Sequence, residues 1–200
     1  PPQFIRQLYP RACWRMNATE RSVYLTFDDG PIPEITPWIL DVLDRYNIKA
    51  TFFMVGDNVR KHPDEFKMVV ERGHRIGNHT HNHIGGFRWF SWKYLGNVQK
   101  AEDILQTGKL FRPPRGWMKI MQYRVLRYTG WRVVMWDVVT RDYSNILSAD
   151  DVLQNVKRYT RNGSIITFHD SLKSIDKLRQ MLPEALSWLK EQGYEFKVFD

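Results

Sequence analysis

Short apolar runs alternate with longer amphipathic segments from Val23 to Phe199, and no other feature of the chain constrains its fold as tightly. Runs at 23–27, 50–55, 75–77, 110–112, 131–136, 164–168 and 195–199 read as buried strands. Helices are expected between them. Thr36-Pro37 offers an N-cap and a first-turn proline ahead of Ile39, Leu40 and Leu43, and Pro63 opens a segment through Phe66, Val69 and Val70 that stops at Gly73. Residues 91–105 and 177–192 read as helices, and Ser148 with Asp151 resembles a capping box ahead of Val152, Val156 and Tyr159. Strands alternating with helices imply parallel pairing through right-handed crossovers. With about seven such units and no long unstructured insertion, an α/β chain is better served by a closed or nearly closed β/α barrel than by an open sheet.

In such a barrel the active site lies where the C-terminal ends of the strands converge. Polar residues fall at that point in unit after unit: Asp28 and Asp29 after the first strand, His79 and His83 after the third, Arg112 after the fourth, Asp142 after the fifth and His169 after the sixth.

Length suits one domain over residues 1–200, with 1–22 an irregular, Pro-bearing lead-in whose Phe4, Ile5, Leu8, Tyr9 and Trp14 cover one end of the core. A single cysteine, Cys13, excludes an intramolecular disulfide and a Cys-based zinc cluster, so a metal here needs His and carboxylate ligands. No run approaches the roughly 20 apolar residues of a membrane span. The chain begins at Pro1 without Met, as one would after removal of a leader or anchor, and its compartment stays open between cell envelope or periplasm and cytoplasm. The net charge of +8 favours anionic partners, but the excess is spread among helices and forms no basic stripe with a reading element, so no nucleic-acid partner is expected.

His79 and His83 are four apart, a spacing that sets two imidazoles on one face of a helical turn and within reach of one metal. One carboxylate of the Asp pair completes a His-His-Asp set with an open position, the arrangement of a catalytic zinc site. Hydrolysis also needs a base for the attacking water and an acid for the leaving group. The second Asp suits the base and His169 the acid.

Thr-Phe-Asp-Asp-Gly-Pro at 26–31, His-Thr-x-x-His at 79–83, Arg-Pro-Pro-x-Gly at 112–116, Asp-Tyr at 142–143 and His169 stand in the order of the motifs of polysaccharide deacetylases of the NodB-homology type, carbohydrate esterase family 4, which the chain resembles over nearly its whole length. The resemblance implies a distorted β/α barrel that removes N-acetyl, sometimes O-acetyl, groups from a polysaccharide or oligosaccharide with a divalent metal, most often Zn2+, with Co2+ or Ni2+ as substitutes. It implies Asp28 as general base, Asp29, His79 and His83 as metal ligands, Arg112 as the group that orients Asp28, Asp142 as the partner that keeps His169 protonated, and the backbone N–H of Arg115 as an oxyanion donor.

Four positions depart from the family pattern. Val139 stands where an Asp is usual, Tyr143 replaces Trp, Thr167 replaces Leu and Arg115 replaces Tyr. The catalytic groups are retained while the walls of the acyl slot change, and Thr167 adds a hydroxyl there. The Thr167 change keeps an O-acetyl or small-acyl esterase in play as a rival, and a catalytically weak glycan-binding module on the same fold is a second, against which the full set of metal, base and acid residues argues. Phe87, Trp89, Phe90, Trp92 and Tyr94 follow the second motif and Trp117 the third; Trp89, Trp117 and Tyr143 are the expected sugar contacts, and Arg115 with Trp117 the expected rim for an anionic glycan.

Overall fold

A computed structural model describes residues 3–16 and 19–200. Side chains 3 and 4 fall outside the description, so the expected role of Phe4 does too. Strands β1 (Ser22–Asp28), β2 (Thr51–Met54), β3 (Arg75–Asn78), β4 (Leu110–Phe111), β5 (Arg132–Val133), β6 (Val138–Val139) and β7 (Ser164–His169) form one parallel sheet in the order β5-β4-β3-β2-β1-β7-β6, and β8 (Glu195–Phe196) adds to the start of β1. Only residues 134–137 separate β5 from β6, the two ends of that order. A link so short spans at most about 20 Å, so the sheet curls until its ends nearly meet. The result is a distorted β/α barrel with a seam between β5 and β6, where the sequence reading expected closure or near-closure.

Alternation along the strands sorts the core into two layers. Phe27 is in register with Phe52 on β2 and Phe168 on β7, and the three rings stack side by side at 5.1 and 5.5 Å. This layer packs outward on α2 (Thr36–Arg45) and α8 (Ile175–Glu191) through buried Ile39, Leu40, Leu43, Leu182 and Leu186. The opposite faces of the same strands carry Tyr24, Phe53 and Ile165 into a smaller inner cluster with Leu110, Val134 and Phe199. Above that apolar floor the inner positions turn polar: Thr26 and Asp28 on β1, Thr167 and His169 on β7.

Several local expectations change. The run 131–136 is not one strand, because the chain must leave β5 at one end of the sheet and cross the seam to reach β6 at the other. Thr36 is the first residue of α2 and not its cap; its hydroxyl accepts from Ile32 N at 2.7 Å and donates to Asp170 Oδ2 at 2.6 Å. The lead-in is not wholly irregular, since Gln3–Leu8 forms helix α1. It is also pinned to the sheet, with Cys13 bridging Val134 and Arg15 bridging Ser164, so it closes the lower end of the seam. Helices α3 (Gly56–Lys61) and α6 (Ile120–Tyr128) were not anticipated, whereas α4 (Pro63–Glu71), α5 (Ser91–Leu105) and α7 (Ala149–Tyr159) lie where expected. Ser148 does cap α7, with reciprocal bonds to Asp151.

Candidate active site

Asp28 and Asp29 part company at the end of β1. Asp29 takes a left-handed backbone (φ 85), held by Asn58 Nδ2 donating to its carbonyl at 2.8 Å, and the Gly30-Pro31 bond after it is cis. A non-glycine residue at positive φ costs on the order of 1 kcal/mol or more. The turn sends adjacent carboxylates to different partners.

Asp29 meets the two histidines. Its Oδ1 lies 3.2 Å from His83 Nε2 and 3.6 Å from His79 Nε2, and the three potential ligand atoms all fall within 4.8 Å of one another. The histidines do not sit on a helical turn, as their spacing had suggested. They belong to a loop in which Thr80 (φ 65) and His83 (φ 51) are left-handed, shaped by Asn78 Oδ1 accepting from Thr80 N and by Asn97 Oδ1 accepting from His81 N and Asn82 N. His79 Nδ1 pairs with the carbonyl of Arg112 at 2.8 Å, which assigns the proton to Nδ1 and leaves the Nε2 lone pair facing Asp29. Burial pushes His79 down to about 4, so its imidazole is neutral at pH 7. Burial works to raise Asp29, but the His83 bond and the fields of His79, His169 and His83 prevail and hold it at about 2. One carboxylate with two imidazole nitrogens is the donor chemistry that a divalent transition metal takes.

Asp28 faces the buried Arg112, whose Nη1 donates to its Oδ1 at 2.6 Å. The same Nη1 reaches Thr26 Oγ1 at 2.7 Å, Nη2 donates to the Met135 carbonyl at 2.8 Å, and the guanidinium lies 4.2 Å over the Phe53 ring. Beside this pair, His169 Nδ1 bonds Asp142 Oδ1 at 2.8 Å, while Asp142 Oδ2 accepts from the backbone N–H of His169 at 2.7 Å. Burial alone would lower His169; the Asp142 bond and charge, with the fields of Asp28 and Asp29, outweigh it and raise the group to about 9.

Asp28, Asp29, His79, His83 and His169 open on one cavity of about 710 Å³, and Arg112 and Asp142 stand behind them. Arg115, Tyr143, Val139 and Thr167 line it as well. Arg115 occupies a left-handed position (φ 59) in the turn Pro114–Gly116. Tyr143 stands edge-on to His169 at 4.7 Å. The Thr167 hydroxyl is 3.2 Å from Thr26 Oγ1, so this polar substitution is tied into the Arg112 network and is not left bare in the wall. Trp117 and Trp89 do not line the cavity. Trp117 packs on Phe87 at 6.2 Å, and Trp89 borders a separate cleft with Trp92 and Lys93.

Sequence reasoning missed five wall residues: Ile32, Trp136, Ser171, Leu172 and Lys173. Trp136 carries a signal, an aromatic at the end of an apolar run, but the run 131–136 reads as one strand. Leu172 is an apolar residue in an otherwise polar loop after β7 and is 60% exposed, which fits a cavity lip. Beneath the Asp pair, Asp170 is fully buried and raised to about 7 by burial, its N–H donating to the Asp28 carbonyl at 2.7 Å.

The profile of the family Polysaccharide deacetylase matches residues 15–134. A Bacillus cereus peptidoglycan-N-acetylglucosamine deacetylase is 33% identical over 198 residues, covering 92% of this chain and 88% of its own length. A crystal structure of a peptidoglycan N-acetylglucosamine deacetylase in complex with 4-naphthalen-1-yl-N-oxidanyl-benzamide superposes at TM-score 0.87 with 32% identity, over 100% of this chain and 95% of that one. A CE4 family pseudoenzyme from Bacillus anthracis superposes at 0.82 with 26% identity, over 92% of this chain and 65% of the other.

Proposed function

This chain belongs to the polysaccharide deacetylase family, and we propose that it hydrolyses the N-acetyl groups of amino sugars in a chitin- or peptidoglycan-like polysaccharide, releasing acetate and a free amine. One observation carries the reading: an Arg-held carboxylate and an Asp-held imidazole stand in register on neighbouring strands, in the same cavity as a two-histidine, one-carboxylate cluster.

Asp29, His79 and His83 would hold a divalent cation, zinc first by ligand type and cobalt or nickel by the same donors, and when bound it would polarise the acetamide carbonyl and acidify water. Asp28 takes the proton of the attacking water. Its Arg112 bond fixes it in direction and engages one oxygen, Oδ1, leaving the other to accept. Charge that develops on the carbonyl oxygen is met by the backbone N–H of Arg115, whose left-handed position is set before the substrate arrives. His169, held protonated by Asp142, then gives its proton to the departing amine. Tyr143, Trp136 and Leu172 line the same cavity and would wall the acyl slot.

The closest rival, O-acetyl or other small-acyl ester hydrolysis, draws on the Thr167 and Tyr143 departures. The similarity to a CE4 family pseudoenzyme favours the other rival, glycan binding without turnover, and the retained acid and base groups weigh against it. Zinc-loaded protein offered chitin oligomers, peptidoglycan fragments and acetylated xylan side by side separates all three. Acetate with an equal yield of primary amine supports the proposal; acetate without amine moves it to the esterase; glycan binding with no acetate moves it to the binding module.

A further inference from the structure

Trp136 is a wall with two sides. Together with Val139 it lines the catalytic cavity and also a second cleft of about 590 Å³. Its indole is held there by edge-on contact with Trp14 at 5.9 Å and by direct packing on the Cα of Gly116, where any Cβ would run into the ring. The partition between the cavities is thus one fixed aromatic ring and one valine. Val139 is a position at which the sequence departs from its family's acidic pattern, so no carboxylate stands between the two sides.

The second cleft is cationic. Arg6, Arg158 and Arg161 line it against one carboxylate, Asp137. That carboxylate is already fully engaged: Arg161 holds it in a bidentate pair at 2.7 and 2.8 Å, Arg6 adds a bond at 2.8 Å and Ser164 Oγ another at 3.0 Å. Arg158, on the last turn of α7, makes no ion pair among the described residues and lies only against the neighbouring Tyr159 ring, 5.5 Å from its centroid. Thr160, next along the same wall, has a buried hydroxyl without a hydrogen-bond partner among the described residues. A buried hydroxyl left unpaired is unfavourable, and a guanidinium fork is matched to the planar geometry of a carboxylate.

We propose that this cleft is a second substrate site, which binds a carboxylate carried on a branch of the same glycan whose acetamide lies in the catalytic cavity. The proposal rests on the deacetylase reading for its polymer, and on Arg158, Thr160 and the shared Trp136 wall for its chemistry. A strand lying over Trp136 places its acetamide on one side and its acidic branch on the other. Arg158 receives the carboxylate, and Arg6 and Arg161 supply field while remaining paired with Asp137.

The test compares peptidoglycan oligomers with free-acid peptide stems against the same oligomers with the stem carboxylates amidated, on wild type and Arg158→Gln. Arg158 touches neither the catalytic groups nor the core, so the variant is expected to fold and to deacetylate neutral chitin oligomers within about twofold of wild type. For wild type at low salt, KM is expected about fivefold lower for the free-acid oligomer, with equal kcat; in Arg158→Gln the two KM values converge. Tryptophan fluorescence titrated with each oligomer reads the same difference without requiring turnover. Equal affinities in wild type, or a charge preference that survives Arg158→Gln, overturn the second site while leaving the deacetylase reading standing. Absence of acetate from every oligomer, with a charge preference in the fluorescence titration that Arg158→Gln removes, overturns the deacetylase reading and keeps the site.

Discussion

Asp28 and His169 hold the same register on adjacent parallel strands, and each is fastened from behind by a residue of opposite charge, Arg112 for the one and Asp142 for the other. The proposed base and the proposed acid are thereby held side by side. Both sit on rigid strands, which sets their separation more firmly than loops would.

Replacing Asp28 by Asn should leave metal affinity within a few-fold and lower kcat by about 10²–10⁴, the range expected for a lost general base. His79→Ala should weaken both, because it removes a cluster nitrogen fixed by the Arg112 carbonyl. Zinc titration beside acetate release distinguishes them, and full activity with tight metal in either variant contradicts the assignment.

Asp142→Asn should shift the alkaline limb of the kcat profile to lower pH. The raised His169 is protonated below its folded value of about 9, and the acid is lost as pH rises through that value. A cation at Asp29 lowers the limb in wild type, but the direction on losing Asp142 is the same. A limb that does not move in Asp142→Asn means that His169 is not the acid.

Asp137 is held at about 2: burial works to raise it, and its bonds to Arg161, Ser164 and Arg6 prevail. A depressed carboxyl contributes stability that is present above its unfolded value near 3.8 and is lost as pH falls through about 2. Asp137→Asn should therefore cost about 1–2 kcal/mol at neutral pH, reduced by the exposure of Arg161, and the deficit should shrink in urea melts run toward pH 2.

Gly116→Ala should destabilise by about 1–3 kcal/mol, since φ is +72 and the added methyl meets the Trp136 indole. Displacing that ring should raise KM more than it lowers kcat, as steady-state kinetics on chitin oligomers would read.

The alternation of apolar and amphipathic segments was enough to reveal a parallel barrel-like sheet, and strand ends were enough to gather Asp28, His79, Arg112, Asp142 and His169 into one place. What stayed hidden was decided by tertiary contacts. The loop that pairs His79 with His83 depends on Asn97 of the following helix α5, a contact that the spacing of the histidines does not carry. Strands β4, β5 and β6 are two residues each, too short to show a period, and Trp136 vanished into a run that looked continuous. Trp89 and Trp117 are aromatics near the motifs in sequence but are not among the residues that line the cavity, a distinction that residue type does not carry.

The lead-in that closes the lower seam also guards the sheet. An exposed strand edge is a template on which other chains can add and aggregate. Here the β5 side is taken up by the backbone of Cys13, which accepts from Met135 N and donates to Val133 O, both at 2.8 Å, and β6 offers only two residues. A chain trimmed past Cys13 would bare that edge, so its first failure should be self-association, detectable by light scattering before any loss of helical signal.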